Sequence, residues 1–172
     1  MDNRGHLMDK NGAQLDPGER SALLSAQVAE GRYFFVELRA SGRRGATLAF
    51  GGRERCRADY HVRRERFGYH VVEFVTDGAG TLMLDGRVRP LARGVVYAYG
   101  PRSQLEITTD RARPLVKYFA CWGGRGAGAR LARSGVPAGS AAQLPAAGEV
   151  QSVFEDLSRE GQWHAPLTRV AG

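Results

Sequence analysis

The stretch from Tyr33 to Trp122 is broken every few residues by turn formers, and no run within it keeps helical periodicity for long. Parallel strands need crossovers of about a dozen residues or more, so this punctuation argues against a parallel α/β sheet. RYFFVELR (32–39) is aromatic and β-branched, and Gly42, Gly45, Gly51 and Gly52 punctuate the segment after it. RERCRADYHVRR (53–64) alternates in character, and YHVVEFV (69–75) reads as a strand. Asp77-Gly78-Ala79-Gly80 forms a tight turn, and TLMLDG with RVRPLARG makes a hairpin about Asp85-Gly86. VVYAYG (95–100) and PLVKYFACW (114–122) close the series. Seven or eight short strands of this kind predict an antiparallel sandwich or barrel.

The flanks differ. Asp16-Pro17-Gly18-Glu19 has the cap, first-turn proline and acid of a helix start, and Gly31 supplies a stop, which predicts a short N-terminal helix. Beyond Trp122, residues 123–148 are rich in small residues and loop-like, with one helical turn near 127–133. Val150, Val153, Phe154 and Leu157 then recur at helical spacing, predicting a helix near 147–160. The expected organisation is an arm and short helix (1–31), a barrel (32–124), and a linker with a helical segment suited to dimerisation (125–172).

The net charge of +7 invites a nucleic-acid reading, but the basic residues are scattered. They are arginines throughout except Lys10 and Lys117, in runs no longer than two, so a dedicated nucleic-acid groove is not expected. Cys56 and Cys121 have no metal-ligand spacing and are too few for a disulfide framework. The N-terminus has no apolar core of the secretory kind, and no apolar run has membrane-spanning length. These features predict a cytoplasmic protein with reduced thiols and no membrane partner.

Residues 57–101 and the segment LVKYFACWGG carry an ordered pattern. Arg63 or Arg64 precedes an aromatic-rich strand, Gly78 and Gly80 form a Gly-x-Gly turn, and Asp85-Gly86 makes a second hairpin. Gly94 opens an apolar strand that ends at Pro101, and Trp122-Gly123 closes the last strand. This order resembles the N-terminal sensor domain of AraC-type transcription regulators, a cupin-fold barrel. Gly135-Val136-Pro137-Ala138-Gly139 and the helix after it resemble the region beyond that barrel, so the likeness covers about residues 55–160. It implies a mainly β fold: a cupin-like antiparallel β-barrel (jelly roll) with a short N-terminal helix and C-terminal helices. It also implies a small-molecule effector, a homodimer, and DNA contact only through a C-terminal helix-turn-helix part. No segment here reads as helix-turn-helix, and the tail looks like the start of an element, so an excised regulatory domain is the expectation.

Cupin enzymes hold a metal with a His-x-His and a Glu on one strand and a His on a later one. Glu73 resembles that glutamate, but Arg66, Phe67, Gly68 and Tyr69 stand where the His-x-His belongs, and Leu105 and Glu106 stand near the late histidine. Neither a metal nor another cofactor, nor any catalytic residue, is expected from that donor set. Glu73 and Lys117 interrupt strands that are otherwise apolar. Alternation puts Tyr69, Val71, Glu73 and Val75 on one face, and Leu115, Lys117, Phe119 and Cys121 on one face of the last strand. Whether those faces point inward is open from the sequence; if they do, the two charges must pair or engage a polar ligand. In sugar-binding members of the resembled family, the pocket uses an arginine before the central strand and an aromatic on the last one, positions matched here by Arg63 or Arg64 and by Phe119. The candidate ligand-binding set is Arg63, Arg64, Tyr69, Glu73, Tyr97, Lys117 and Phe119, with a sugar or sugar acid as effector. Tyr97, with Tyr99 on the same face, reads as pocket wall or as core. A metal-dependent cupin enzyme and a filled barrel serving as an interaction module are the competing readings.

Overall fold

A computed structural model describes residues 18, 22–39 and 42–163. Among these residues ten strands form two antiparallel sheets. In chain order they are β1 (Val28–Phe35), β2 (Thr47–Cys56), β3 (His61–Glu65), β4 (His70–Asp77), β5 (Ala79–Leu84), β6 (Arg87–Ala92), β7 (Val95–Tyr99), β8 (Gln104–Thr109), β9 (Val116–Gly123) and β10 (Ser140–Gln143). The six-stranded sheet runs β1-β2-β9-β4-β7-β10 and the four-stranded sheet runs β3-β8-β5-β6. With the edge strands β1 and β10 set aside, the eight strands β2 to β9 pair in the interleaved order of a jelly roll, the architecture of cupin barrels. The expected fold class is therefore the observed one.

Among the described residues two helices flank the sheets, α1 (Ala127–Ala132) and α2 (Ala147–Trp163), and Gly18, Ala22 and Leu23 are helical in the N-terminal segment. α2 lies on the outer face of the large sheet. Phe154 stacks on Phe74 (6.1 Å between centroids) and Tyr118 (5.7 Å), and the Tyr118 hydroxyl donates to Glu155 at 3.2 Å. Of the stripe read from the sequence, Val150, Phe154 and Leu157 join this outer cluster while Val153 is exposed.

Two local readings are corrected and a third is made more specific. The cap and stop signals predict an N-terminal helix reaching Gly31, but Val28 begins a strand; Asp16 and Pro17 lie outside the described residues. Pairing decides it: Val28 lies opposite Cys56 and Gly31 opposite Glu54, so sheet partners satisfy backbone groups that a helix would have satisfied locally. Residues 53–64, alternating in the sequence, fall in two strands, with a turn closed by Tyr60 N–H donating to Arg57 C=O at 3.0 Å. The loop-like stretch after Trp122 contributes β10, whose small residues pair with β7 at the sheet edge.

The interior is built by alternation, interrupted in β2 where a register shift against β9 leaves both Ala49 and Phe50 in the core. Phe50, Val71, Val75, Leu82, Ile107, Leu115 and Phe119 are buried between the sheets. Phe74, Tyr118 and Ala120 face the other way, under α2. The charged breaks in β4 and β9 fall on the inward face: Glu73 is 4% exposed and Lys117 2%.

Candidate functional site

Lys117 is the hub of a buried ionic cluster. Its Nζ lies 2.8 Å from Glu54 Oε2 and 2.8 Å from Glu73 Oε2. The backbone register builds this arrangement. Glu54 on β2 is directly opposite Lys117 on β9, while Glu73 on β4 lies opposite Phe119 on β9 and Tyr97 on β7. The remaining carboxylate valences are filled by hydroxyls. Tyr97 donates to Glu73 Oε2 at 2.8 Å, Tyr99 to Glu73 Oε1 at 2.8 Å, and Tyr33 to Glu54 Oε1 at 3.1 Å. The ammonium also stands 5.6 Å from the Tyr60 ring and 5.4 Å from the Phe119 ring. A buried charge is tolerable only when paired and hydrogen-bonded, and here both conditions are met.

These contacts set the protonation states. Burial pushes the Glu73 carboxyl up, but Lys117 and the two tyrosine hydroxyls outweigh it and hold the group below its ordinary range. Burial pulls the Lys117 ammonium down, but Glu54 and Glu73 hold it well above its ordinary value. The Glu73–Lys117 pair is thus ionised at neutral pH. Desolvation, with the nearby carboxylates, keeps the surrounding acids protonated: Tyr97, Tyr99 and Cys121 are raised well above their usual ranges, and the Cys56 thiol is pushed up to about 12. Lys117 is accordingly no amine nucleophile, and neither cysteine is a reactive thiolate.

Next to the cluster is a small chamber bounded by Tyr60, Arg64, Phe67, Tyr99, Phe119 and the segment containing Leu23 and Ser25. Its free volume is about 20 Å³, room for about one water molecule. Arg64 ties the N-terminal segment across it. The guanidinium lies 4.2 Å over the Phe67 ring and donates to the Ala22 carbonyl at 3.2 Å and the Leu23 carbonyl at 2.9 Å. Gln27 adds a second fastening: its Nε2 donates to Asp59 C=O at 2.7 Å and its Oε1 accepts from His61 N–H at 3.0 Å.

Of the residues read from the sequence, Arg64, Glu73, Lys117 and Phe119 meet at the chamber. Tyr97 is fully buried behind Glu73 and fixes its carboxylate. Tyr69 stands apart, packed edge-on against Phe50 at 5.3 Å with its hydroxyl donating to the Leu38 carbonyl. Arg63 is not brought to the interior. It points outward from β3, its side chain 65% exposed and 3.6 Å from Glu106 on β8, because neighbouring residues on a strand face opposite ways. The sequence reading missed Glu54 and Tyr60. The sequence did hold a signal for Glu54: it falls in step with Phe50, Gly52 and Cys56, while Arg53 and Arg55 take the outward positions.

The fold invites the question of a metal. The two carboxylates that converge do so on an ammonium, and no imidazole lines the chamber. No group of three His, Cys, Asp or Glu side chains among the described residues is arranged to hold an ion. The donor set does not fit a divalent cation, since Lys117 already supplies the positive charge there.

No family model and no curated protein matches the chain. Solved structures similar to it are cupin-fold proteins. The cupin domain of Schizosaccharomyces pombe Cnp3 is 10% identical, with 65% of this chain and 77% of that one covered at a TM-score of 0.46. The cupin domain of an XRE-family transcriptional regulator from Enterobacter cloacae is 10% identical, with 45% and 96% covered and a TM-score of 0.38. KdgF from Halomonas is 12% identical, with 44% and 76% covered and a TM-score of 0.38. Among the described residues no helix is long and apolar enough to cross a membrane.

Proposed function

We propose that this chain is the effector-binding part of a cytoplasmic AraC-type transcription regulator, acting as a homodimer and reaching DNA through a separate C-terminal part. The effector is a small polyhydroxylated molecule, a sugar or sugar acid. One observation carries the reading: Arg64 directs its guanidinium donors at two carbonyls of the segment that closes the chamber. A hydroxylated or carboxylated guest offers the same acceptors. It would take Arg64 from Ala22 and Leu23, stack against Phe119 or Phe67, and occupy the volume left by Leu23 and Ser25. The ion-paired floor of Glu54, Lys117 and Glu73 would stay in place and present oriented polar atoms. Such a guest shifts the population from a closed to an open N-terminal segment only by binding the open form more tightly.

The test is calorimetric titration with a panel of monosaccharides and uronic acids. A member of the panel is expected to bind wild-type and Arg63→Ala protein alike and to lose at least ten-fold in Arg64→Ala. If no member binds, or if binding ignores Arg64, the reading fails. The small free volume then favours the second reading, a filled barrel that acts as an interaction scaffold.

A further inference from the structure

A second concavity lies on the opposite side of the large sheet, outside the barrel. It is a cleft of about 310 Å³ between α1 and the outward faces of β4 and β9, within the size range of small-molecule sites. Val72 and Trp122 form its floor and Leu131 its helical wall, while His70, Arg130 and Ser134 supply the polar atoms. Two glycines make room for the His70 ring. A β-carbon on Gly128 of α1 would stand 3.1 Å from Cε1, and one on Gly100 would stand 2.9 Å from Nδ1. His70 Nδ1 is, among the described residues, the one buried side-chain nitrogen or oxygen without a hydrogen-bond partner. The ring itself is half-buried, and Nδ1 packs against Gly100 rather than opening into the cleft, so a guest in the cleft makes no use of it.

The lining has a definite chemical character. It is largely hydrocarbon, with an indole on one side, and its only formal charge at neutral pH is the Arg130 guanidinium, since burial lowers the basicity of His70. No carboxylate lines it. Arg125 and Arg133 flank the same short helix, and the chain as a whole carries +7. An apolar slot with a forked cation at its rim suits a planar apolar body bearing one carboxylate.

We propose that this cleft is a binding site for a small aromatic carboxylate, its ring held between Trp122 and Leu131 and its carboxylate paired with Arg130. The site is separate from the barrel chamber and shares no lining residue with it.

The experiment titrates the full chain with benzoate and salicylate at pH 7 and monitors the Trp122 indole N–H by heteronuclear NMR, the signal being assigned with Trp122→Phe. The expected result is a saturable shift at Trp122 and its neighbours, weakened at least ten-fold in Arg130→Gln and at least ten-fold for the neutral analogue benzyl alcohol. Ser134→Phe fills the cleft from an exposed position and should abolish the shift, whereas Arg64→Ala should leave it unchanged. A non-saturating shift, or one indifferent to both Arg130→Gln and Ser134→Phe, overturns the proposal. So does a response sensitive to Arg64→Ala, which would place the carboxylate in the barrel instead.

Discussion

Replacing Lys117 with methionine removes the one cation from between two carboxylates that are almost wholly out of water (Glu54 3% and Glu73 4% exposed). Their oxygens each sit 2.8 Å from the missing nitrogen, so the two charges are left facing each other across a space too small for effective solvation. Breaking a buried pair by deleting one partner costs about 3–5 kcal/mol, a large share of the roughly 5–15 kcal/mol that stabilises a typical domain. At about 2–4 °C per kcal/mol, the melting temperature should fall by roughly 6–20 °C. The deficit should also depend on pH. In wild type the Glu73 pKa is lowered, so its contribution is present above the ordinary carboxyl value of 4.5 and is lost as pH falls through the folded value. Without the ammonium, burial dominates and the carboxyl pKa rises. A group raised in the fold is destabilising as pH climbs through its folded value, so the gap between variant and wild type should narrow from pH 7 to pH 5. Urea unfolding monitored by circular dichroism at the two pH values measures both effects. The neutral triple variant Glu54→Gln, Glu73→Gln, Lys117→Met should recover much of the loss, because it no longer strands a charge. A Lys117→Met deficit under about 1 kcal/mol that is the same at both pH values would refute the buried-cluster account, since that is how an exposed pair behaves.

Three further outcomes are expected. Arg64→Ala removes the two donors that hold Ala22 and Leu23, so amide exchange in residues 22–27 should speed up several-fold while β4 and β9 stay protected, as read by hydrogen–deuterium exchange. At the alkaline end, Lys117, Tyr97, Tyr99 and both cysteines all have raised values in the fold; stability is fully present below their ordinary values of 9.0 to 10.5 and should decline progressively above about pH 9 in a thermal-melt series. Phe154→Ala removes the ring that seats α2 between Phe74 and Tyr118 and should cost about 3 kcal/mol in urea unfolding, with the barrel strands keeping their spectrum.

The residue order alone determined the β-rich centre, because the turn formers and the alternation of Val71, Glu73 and Val75 are local properties of the chain. It marked Glu73 and Lys117 as anomalies for the same reason: a charge in an apolar strand is visible without coordinates. It singled out α2 through the spacing of Val150, Phe154 and Leu157. Tertiary structure decided which face each strand turns inward, since a period of two fixes relative but not absolute orientation. That choice separated Arg64 from Arg63 and supplied Glu54, whose partner Lys117 lies far along the chain and meets it only across the β2–β9 pair. It also turned Val28–Gly31 from helix into strand, because those backbone groups find partners in β2 that no local reading reveals. The chamber and the outer cleft belong wholly to the packed state, being volumes left between elements that meet only once the sheets have formed.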